Sequence, residues 1–178
     1  MYSDNTLTPK EATRLCALGT LATKPMTYAE LASAVRHFIS HMIGPSLDVL
    51  GTSIELLKYE GLVESSGDGD EAELLITDAG HEELQTLLTA NIRGAATEFN
   101  NLIIALKFRF LHLLKTDDQM IQADLLMDAS EIEQTRLLDL RQHHSDEPGH
   151  LTRWLDHEIK QVEDRISWLE QLSTGLAS

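Results

Sequence analysis

At 178 residues the chain is long enough to bury a core, either as one domain of ordinary size or as a small domain with a helical extension. Its 14 Lys and Arg stand against 29 Asp and Glu, a formal net charge of -15, the opposite balance from most nucleic-acid binders. The opening MYSDNT has neither the basic nor the apolar part of a signal peptide, and apolar runs such as Leu102 to Leu106 are too short to span a bilayer. With a lone Cys16 there is no disulfide framework, so the expectation is a soluble cytoplasmic protein with one buried thiol.

Thr8 can cap a first helix, with Pro9 at its favoured first position and Glu11 completing a capping box. Ala12, Leu15, Cys16, Leu18 and Leu21 form its apolar face, and Lys24-Pro25 ends it. Thr27 and Glu30 open a second helix in the same way, carrying Leu31, Val35, Phe38, Ile39 and Met42, and Gly44-Pro45 turns the chain into a third. The third places Leu47, Leu50, Ile54 and Leu57 at helical spacing and ends at Gly61, where a left-handed cap suits glycine. Leu62-Val63 and Leu74-Leu75-Ile76 flank a Gly/Asp/Ser cluster, the pattern of a two-stranded ribbon with a loose tip. Thr77 or Asp78 then caps a further helix. Helix, ribbon, helix is the order of a winged helix-turn-helix, and the stretch from Pro45 to Gly80 organises the chain.

From Asp78 to about Lys115 the apolar residues, from Leu84 and Leu88 through Phe99, Leu106 and Phe110, keep helical spacing without a proline. That predicts one long helix or two nearly collinear ones. Asp117 or Asp118 caps the next, which runs to about His143, and SDEPG breaks the chain before the last. There Leu151, Leu155, Ile159, Val162, Ile166 and Leu169 form a seam for another helix, which points to an intermolecular partner and most simply to a symmetric dimer.

These stretches resemble the PadR-type winged-helix transcriptional regulators. The resemblance rests on LATKPMTYAELA after the first helix, LLKYEGLV at the end of the third, LLITDAGHEEL closing the ribbon and RISWLEQL near the C-terminus, and it covers roughly Thr8 to Leu172. It implies a mainly α fold with a small two-stranded β wing: a winged helix-turn-helix domain over residues 1–90 and a C-terminal helical dimerisation domain over 91–178. It implies a homodimer on duplex DNA, with third helices in successive major grooves. Where the family carries a Tyr-Pro pair in the third helix, this chain has Gly51 and Thr52. Where family wings are rich in Arg and Lys, it has none from Tyr59 to Ile92, and the strand after the tip reads DEAELLIT. Up to Ile92 there are 5 basic and 14 acidic residues, so phosphate repels the presumed reading domain.

Two functions follow. In the first, Thr52, Ser53 and Lys58 read bases, and Lys24 and Arg36, with Lys10 and Arg14, contact phosphates. In the second, the winged helix has lost DNA binding and recognises another regulatory protein through its acidic surface. Enzymatic chemistry has no motif: there is no phosphate loop, no nucleophile with its base and no cysteine ligand cluster, so no cofactor is expected. His37 and His41 have a zinc-compatible spacing, with His143, His144, Asp146 and His150 as the dense candidate for a third ligand. Two ligands are not a site, so no metal is assigned. Trp154 and Trp168 lie fourteen residues apart on the last helix and near one angular position. With Phe99 they are candidates to line the apolar pocket at the dimer centre that, in the family, accepts planar aromatic compounds.

Overall fold

In the computed structural model the described residues are 6–44, 50–92 and 98–177, with only the backbone described for 50–53. The chain divides into two units, residues 1–91 with 97–114, and residues 92–96 with 115–178.

The first unit is built on α1 (Pro9–Thr23). Thr8 and Glu11 form the expected capping box: the Thr8 amide donates to Glu11 Oε2 at 2.7 Å and the Glu11 amide to Thr8 Oγ1 at 3.3 Å. From Ala12 to Leu21 every residue but Arg14 is buried, because α2, α3, α4, α5 and the sheet all pack on this one helix. Helix α2 (Tyr28–Ile43) starts with the same device at Thr27 and Glu30 and ends at Gly44, whose φ of 83° suits glycine. It buries Leu31, Val35 and Ile39, while Phe38 is half-buried and Met42 is exposed.

Helix α3 (Leu50–Tyr59) closes as the sequence implies, with Gly61 at φ 73° and the Leu62 amide donating back to Leu57 O at 2.9 Å. Pro45 and Leu47, assigned to its start, lie outside the described residues. The expected ribbon is β2 (Val63–Ser66) paired antiparallel with β3 (Glu73–Ile76), Val63 opposite Ile76 and Ser66 opposite Glu73. A third strand, β1 (Met26–Thr27), joins on the other side of β3, giving the order β1-β3-β2. Two residues are too few to leave a pattern in the sequence.

Helix α4 (Asp78–Leu88) is capped by Thr77, whose Oγ1 accepts from the Gly80 amide at 3.1 Å and donates to Gly61 O at 2.7 Å. This turn locks α4 to the end of α3, and a Cβ on Gly80 would sit 2.1 Å from Leu62 O.

The long or collinear helix expected after Asp78 is not found. Helix α4 ends at Thr89 and α5 (Glu98–Phe110) follows as a separate helix. Near the far end of α5, Lys107 Nζ donates to Leu88 O at 2.5 Å and Ala90 O at 2.6 Å. A straight continuation would carry Lys107 about 28 Å from Leu88. Helix α5 therefore returns along the unit to pack on α1 and α2. Its heptad-like spacing reports burial, which a returning helix needs as much as a continuing one. A short 3-10 turn, Leu111–Leu113, ends the unit.

The second unit pairs α6 (Thr116–His143) with α7 (Leu151–Leu176). Asp117 and Asp118 lie in the first turn of α6 rather than at its cap, which is Lys115. Near the connecting turn Arg141 Nε meets Asp156 Oδ1 at 2.8 Å, and further out Arg165 pairs with Glu133, so the helices run antiparallel. Leu155, Ile159, Val162 and Leu169 are buried between them. The seam read as intermolecular thus meets α6 of the same chain. No helix among the described residues is long and apolar enough to cross a membrane.

Gly80→Ala is expected to lower unfolding free energy by about 2 kcal/mol or more in a denaturant titration, since the atom in the way is backbone and cannot rotate aside. Burial also lowers the Lys107 pKa to about 8 from its ordinary 10.5. The unfolded chain then holds the proton more tightly, so stability should rise as pH climbs from about 8 to about 10.5, by at most about 3 kcal/mol. Denaturation midpoints across that range should show the rise in the wild type and lose it in Lys107→Met.

Candidate nucleic-acid interface

Helices α2 and α3 follow one another in helix-turn-helix order, and α3 buries Ile54 and Leu57 against the unit. That orientation leaves the opposite face free: Glu55 and Lys58 are exposed, Leu56 is 45% exposed and Tyr59 89%. The side chains of Thr52 and Ser53 lie outside the described residues. Lys58, in the last turn of α3, borders a cavity of about 290 Å³ floored by Leu31, Ile54, Leu57 and Leu74.

The expected phosphate contacts separate on inspection. Lys10, Lys24 and Arg36 are exposed, Lys24 at the end of α1 and Arg36 in the middle of α2. Arg14 is different. Its guanidinium meets Glu60 at 2.8 Å and Glu83 at 3.0 Å, tying α1 to the end of α3 and to α4. A phosphate would have to displace two carboxylates, so Arg14 is a structural cation and leaves the set. The sequence could not show this, because Glu60 and Glu83 lie 46 and 69 residues away.

The wing carries the opposite charge. Gly67 and Gly69, both at positive φ, shape a tip on which Asp68, Asp70 and Glu71 are exposed, with Glu64 and Glu73 exposed on the strands. Nothing basic offsets them between Tyr59 and Ile92.

A cation that the sequence did not single out lies against α2. The Arg109 guanidinium of α5 lies over the Phe38 ring at 4.5 Å and the Phe110 ring at 4.8 Å, and Nη1 donates to Cys16 Sγ at 3.6 Å. Burial pushes the Cys16 thiol up to about 11, with the nearby guanidinium opposing it, so this sulfur stays protonated. No local spacing announces the cluster, which joins residues from α1, α2 and α5.

The histidines assemble no metal centre. His37 and His41 stack with centroids 4.2 Å apart and His41 Nδ1 lies 2.7 Å from His37 O, yet no third His, Cys, Asp or Glu joins them among the described residues. In the turn after α6, His144 Nδ1 pairs with Glu147 at 2.7 Å and packs edge-on against His143. Trp154 and Trp168 are 53% and 48% exposed on α7. Fourteen residues of helix separate them by about 21 Å, so within one chain they cannot grip one planar molecule. Phe99 is half-buried on α5, in the other unit.

A model of the AphA-like transcriptional regulator family matches residues 2–173. No curated protein matches the chain. Among solved structures, PadR of Bacillus subtilis in complex with p-coumaric acid is 14% identical, with 97% of this chain and 99% of that one covered and a TM-score of 0.38. The same regulator in complex with operator DNA is 15% identical, covering 92% and 98%, with a TM-score of 0.36. The PadR-like regulator BC1756 of Bacillus cereus is 15% identical, covering 93% and 98%, with a TM-score of 0.40.

Proposed function

The chain belongs to the AphA-like family of transcriptional regulators, and from that premise we propose that it binds duplex DNA as a homodimer through α3, with the wing held away from the phosphates. The outward face of α3 carries this reading: the helix that follows α2 turns a full side to solvent, with Lys58 at its end. Thr52 and Ser53 supply the base contacts, and Lys10, Lys24 and Arg36 the phosphate contacts. An acidic wing cannot reach along a minor groove as a basic one does, because each carboxylate adds repulsion where counterion release needs a cation. The chemistry is recognition alone, without catalysis or a cofactor, in the cytoplasm.

The dimer surface we assign to the second unit. With Leu155, Ile159, Val162 and Leu169 taken by α6, the exposed large apolar residues among those described there are Ile121, Ile132, Leu138 and Leu140 on α6 and Leu151, Trp154 and Trp168 on α7. We take these residues together as one apolar patch, since a contiguous patch marks an interface where single exposed residues do not. A second copy closes it symmetrically and sets two α3 helices one half-site apart. The two tryptophans are then interface anchors.

One observation favours a second reading, in which another regulatory protein replaces DNA. Leu56 and Tyr59 are far more exposed than a helix meant to face phosphates requires, and Glu55 and Glu64 flank them. A mixed apolar and acidic face suits a basic protein surface.

Titrated into labelled genomic fragments at low salt, the protein should raise fluorescence anisotropy, the rise should fade at higher salt, and Lys58→Glu should weaken binding about ten-fold or more. Absence of binding at low salt would hand the function to the second reading. In sedimentation, Trp154→Glu combined with Trp168→Glu should convert a dimer to a monomer while the helical circular dichroism signal is kept; a wild-type monomer would refute the assigned surface.

A further inference from the structure

Arg109 is held in place and, among the described residues, meets no counterion. Its guanidinium rests over Phe38 and Phe110, and one N–H points at the Cys16 sulfur. In a chain with 29 acidic residues, Arg14, Arg141 and Arg165 each meet a carboxylate, whereas Arg109 meets none among the described residues. Phe110 is almost fully buried against Gly19, so the ring beneath the guanidinium cannot swing aside. The cation is therefore pre-positioned, which lowers the ordering cost of any anion it meets.

What it faces is open space. An open depression of about 650 Å³ lies along α2 where Arg109 of α5 meets it, with Ala29 and Ala34 giving it room, Phe38 forming an apolar wall, and Ser33, His37 and Arg109 offering donors. Glu30 stands at the far end, and its Oε2 already accepts from the Thr27 amide at 2.9 Å and the Thr27 hydroxyl at 3.2 Å. That carboxylate is thus committed to capping α2 and makes no ion pair with Arg109. The sign of the free donors, the fixed fork of the guanidinium and the small side chains beside it select a compact anion with two or more oxygens.

We infer that the depression along α2 beside Arg109 binds the oxyanion group of a small molecule, a carboxylate or a phosphate, with Arg109 as its anchor and Ser33 and His37 as further donors. The site lies in the first unit and needs neither the wing nor α3. Occupancy there would bear on the packing of α2 against α5, and so on the helix that precedes α3.

The test is isothermal titration of the full chain with sodium phosphate and, separately, sodium acetate, at an ionic strength held constant with chloride. At least one anion should bind saturably. Arg109→Lys keeps the charge but loses the fork and should weaken binding about ten-fold. Ala34→Leu fills the depression from a half-buried position and should abolish binding while the thermal melt stays cooperative. Failure of both anions to saturate overturns the proposal, and so does wild-type affinity in both variants, which would mean scattered surface binding. Duplex DNA affinity of Ala34→Leu separates the two sources of the oxyanion: unchanged affinity supports a free small molecule, and a loss in step with the anion gives the depression to the DNA backbone and overturns the assignment. Because the titration contains no DNA, its result stands apart from the DNA-binding reading.

Discussion

Gly19 of α1 and the ring of Phe110 of α5 approach so closely that a Cβ on the glycine would lie 2.6 Å from the ring carbons. Glycine inside a helix costs about 1 kcal/mol against alanine, so its place here is bought by that contact. Helix α1 can be enclosed on all sides only if α5 comes this near, and α5 comes this near only because it doubles back after Thr89. The helix-turn-helix is therefore not a free-standing trio of helices. Its central helix is completed by a segment that follows the wing, and the position of α2 depends on both.

The return of α5 has two electrostatic consequences, both in its last turn. Lys107 is 1% exposed and donates to Leu88 O, the last carbonyl of α4, and to Ala90 O just beyond it, a buried cation tolerated because two oxygens lie within hydrogen-bond reach. Arg109 is carried over Phe38 of α2, and among the described residues no carboxylate forms an ion pair with it. The two cations sit two residues apart on one helix and have opposite fates, since one is closed in by backbone oxygens and the other opens to a depression. On the far side of α1, Arg14 joins Glu60 and Glu83, so the end of α3 and the body of α4 are fixed to the same central helix.

What was legible in the sequence is what neighbours in the chain decide. Thr8 with Glu11, Thr27 with Glu30, the left-handed Gly61 and the Thr77 cap are contacts between residues two to four apart, and each type of residue has one physical reason to be there. The ribbon was legible because its apolar runs bracket a glycine-rich tip. Apolar spacing, by contrast, tells that a face is buried and not what buries it. Hence the residues from Leu84 to Phe110 read as a continuous rod although Thr89 ends one helix, and the seam on α7 read as a dimer contact although α6 covers it. Strand β1 was invisible for another reason: Met26 and Thr27 become a strand only by pairing with Leu74 and Glu73. The candidate site divides along the same line. Exposure of Lys24, Arg36 and Lys58 follows from helical phase, but the pairing of Arg14 and the stacking of Arg109 are tertiary facts.

Charge then decides how such a regulator can work. Affinity for duplex DNA grows with the number of phosphates neutralised, and on the proposed reading the first unit offers Lys10, Lys24, Arg36 and Lys58 while displaying Asp68, Asp70 and Glu71 at the wing tip. Non-specific binding must therefore be weak, and a protein with weak non-specific binding gains occupancy of its sites only through base contacts and through having two reading helices at a fixed spacing. If the proposed DNA binding holds, dimerisation is a condition of it rather than an embellishment, because one α3 with a single lysine in its described part cannot supply the affinity alone. The apolar residues left exposed on α6 and α7 and the sparse cations around α3 are, on this argument, two sides of one requirement.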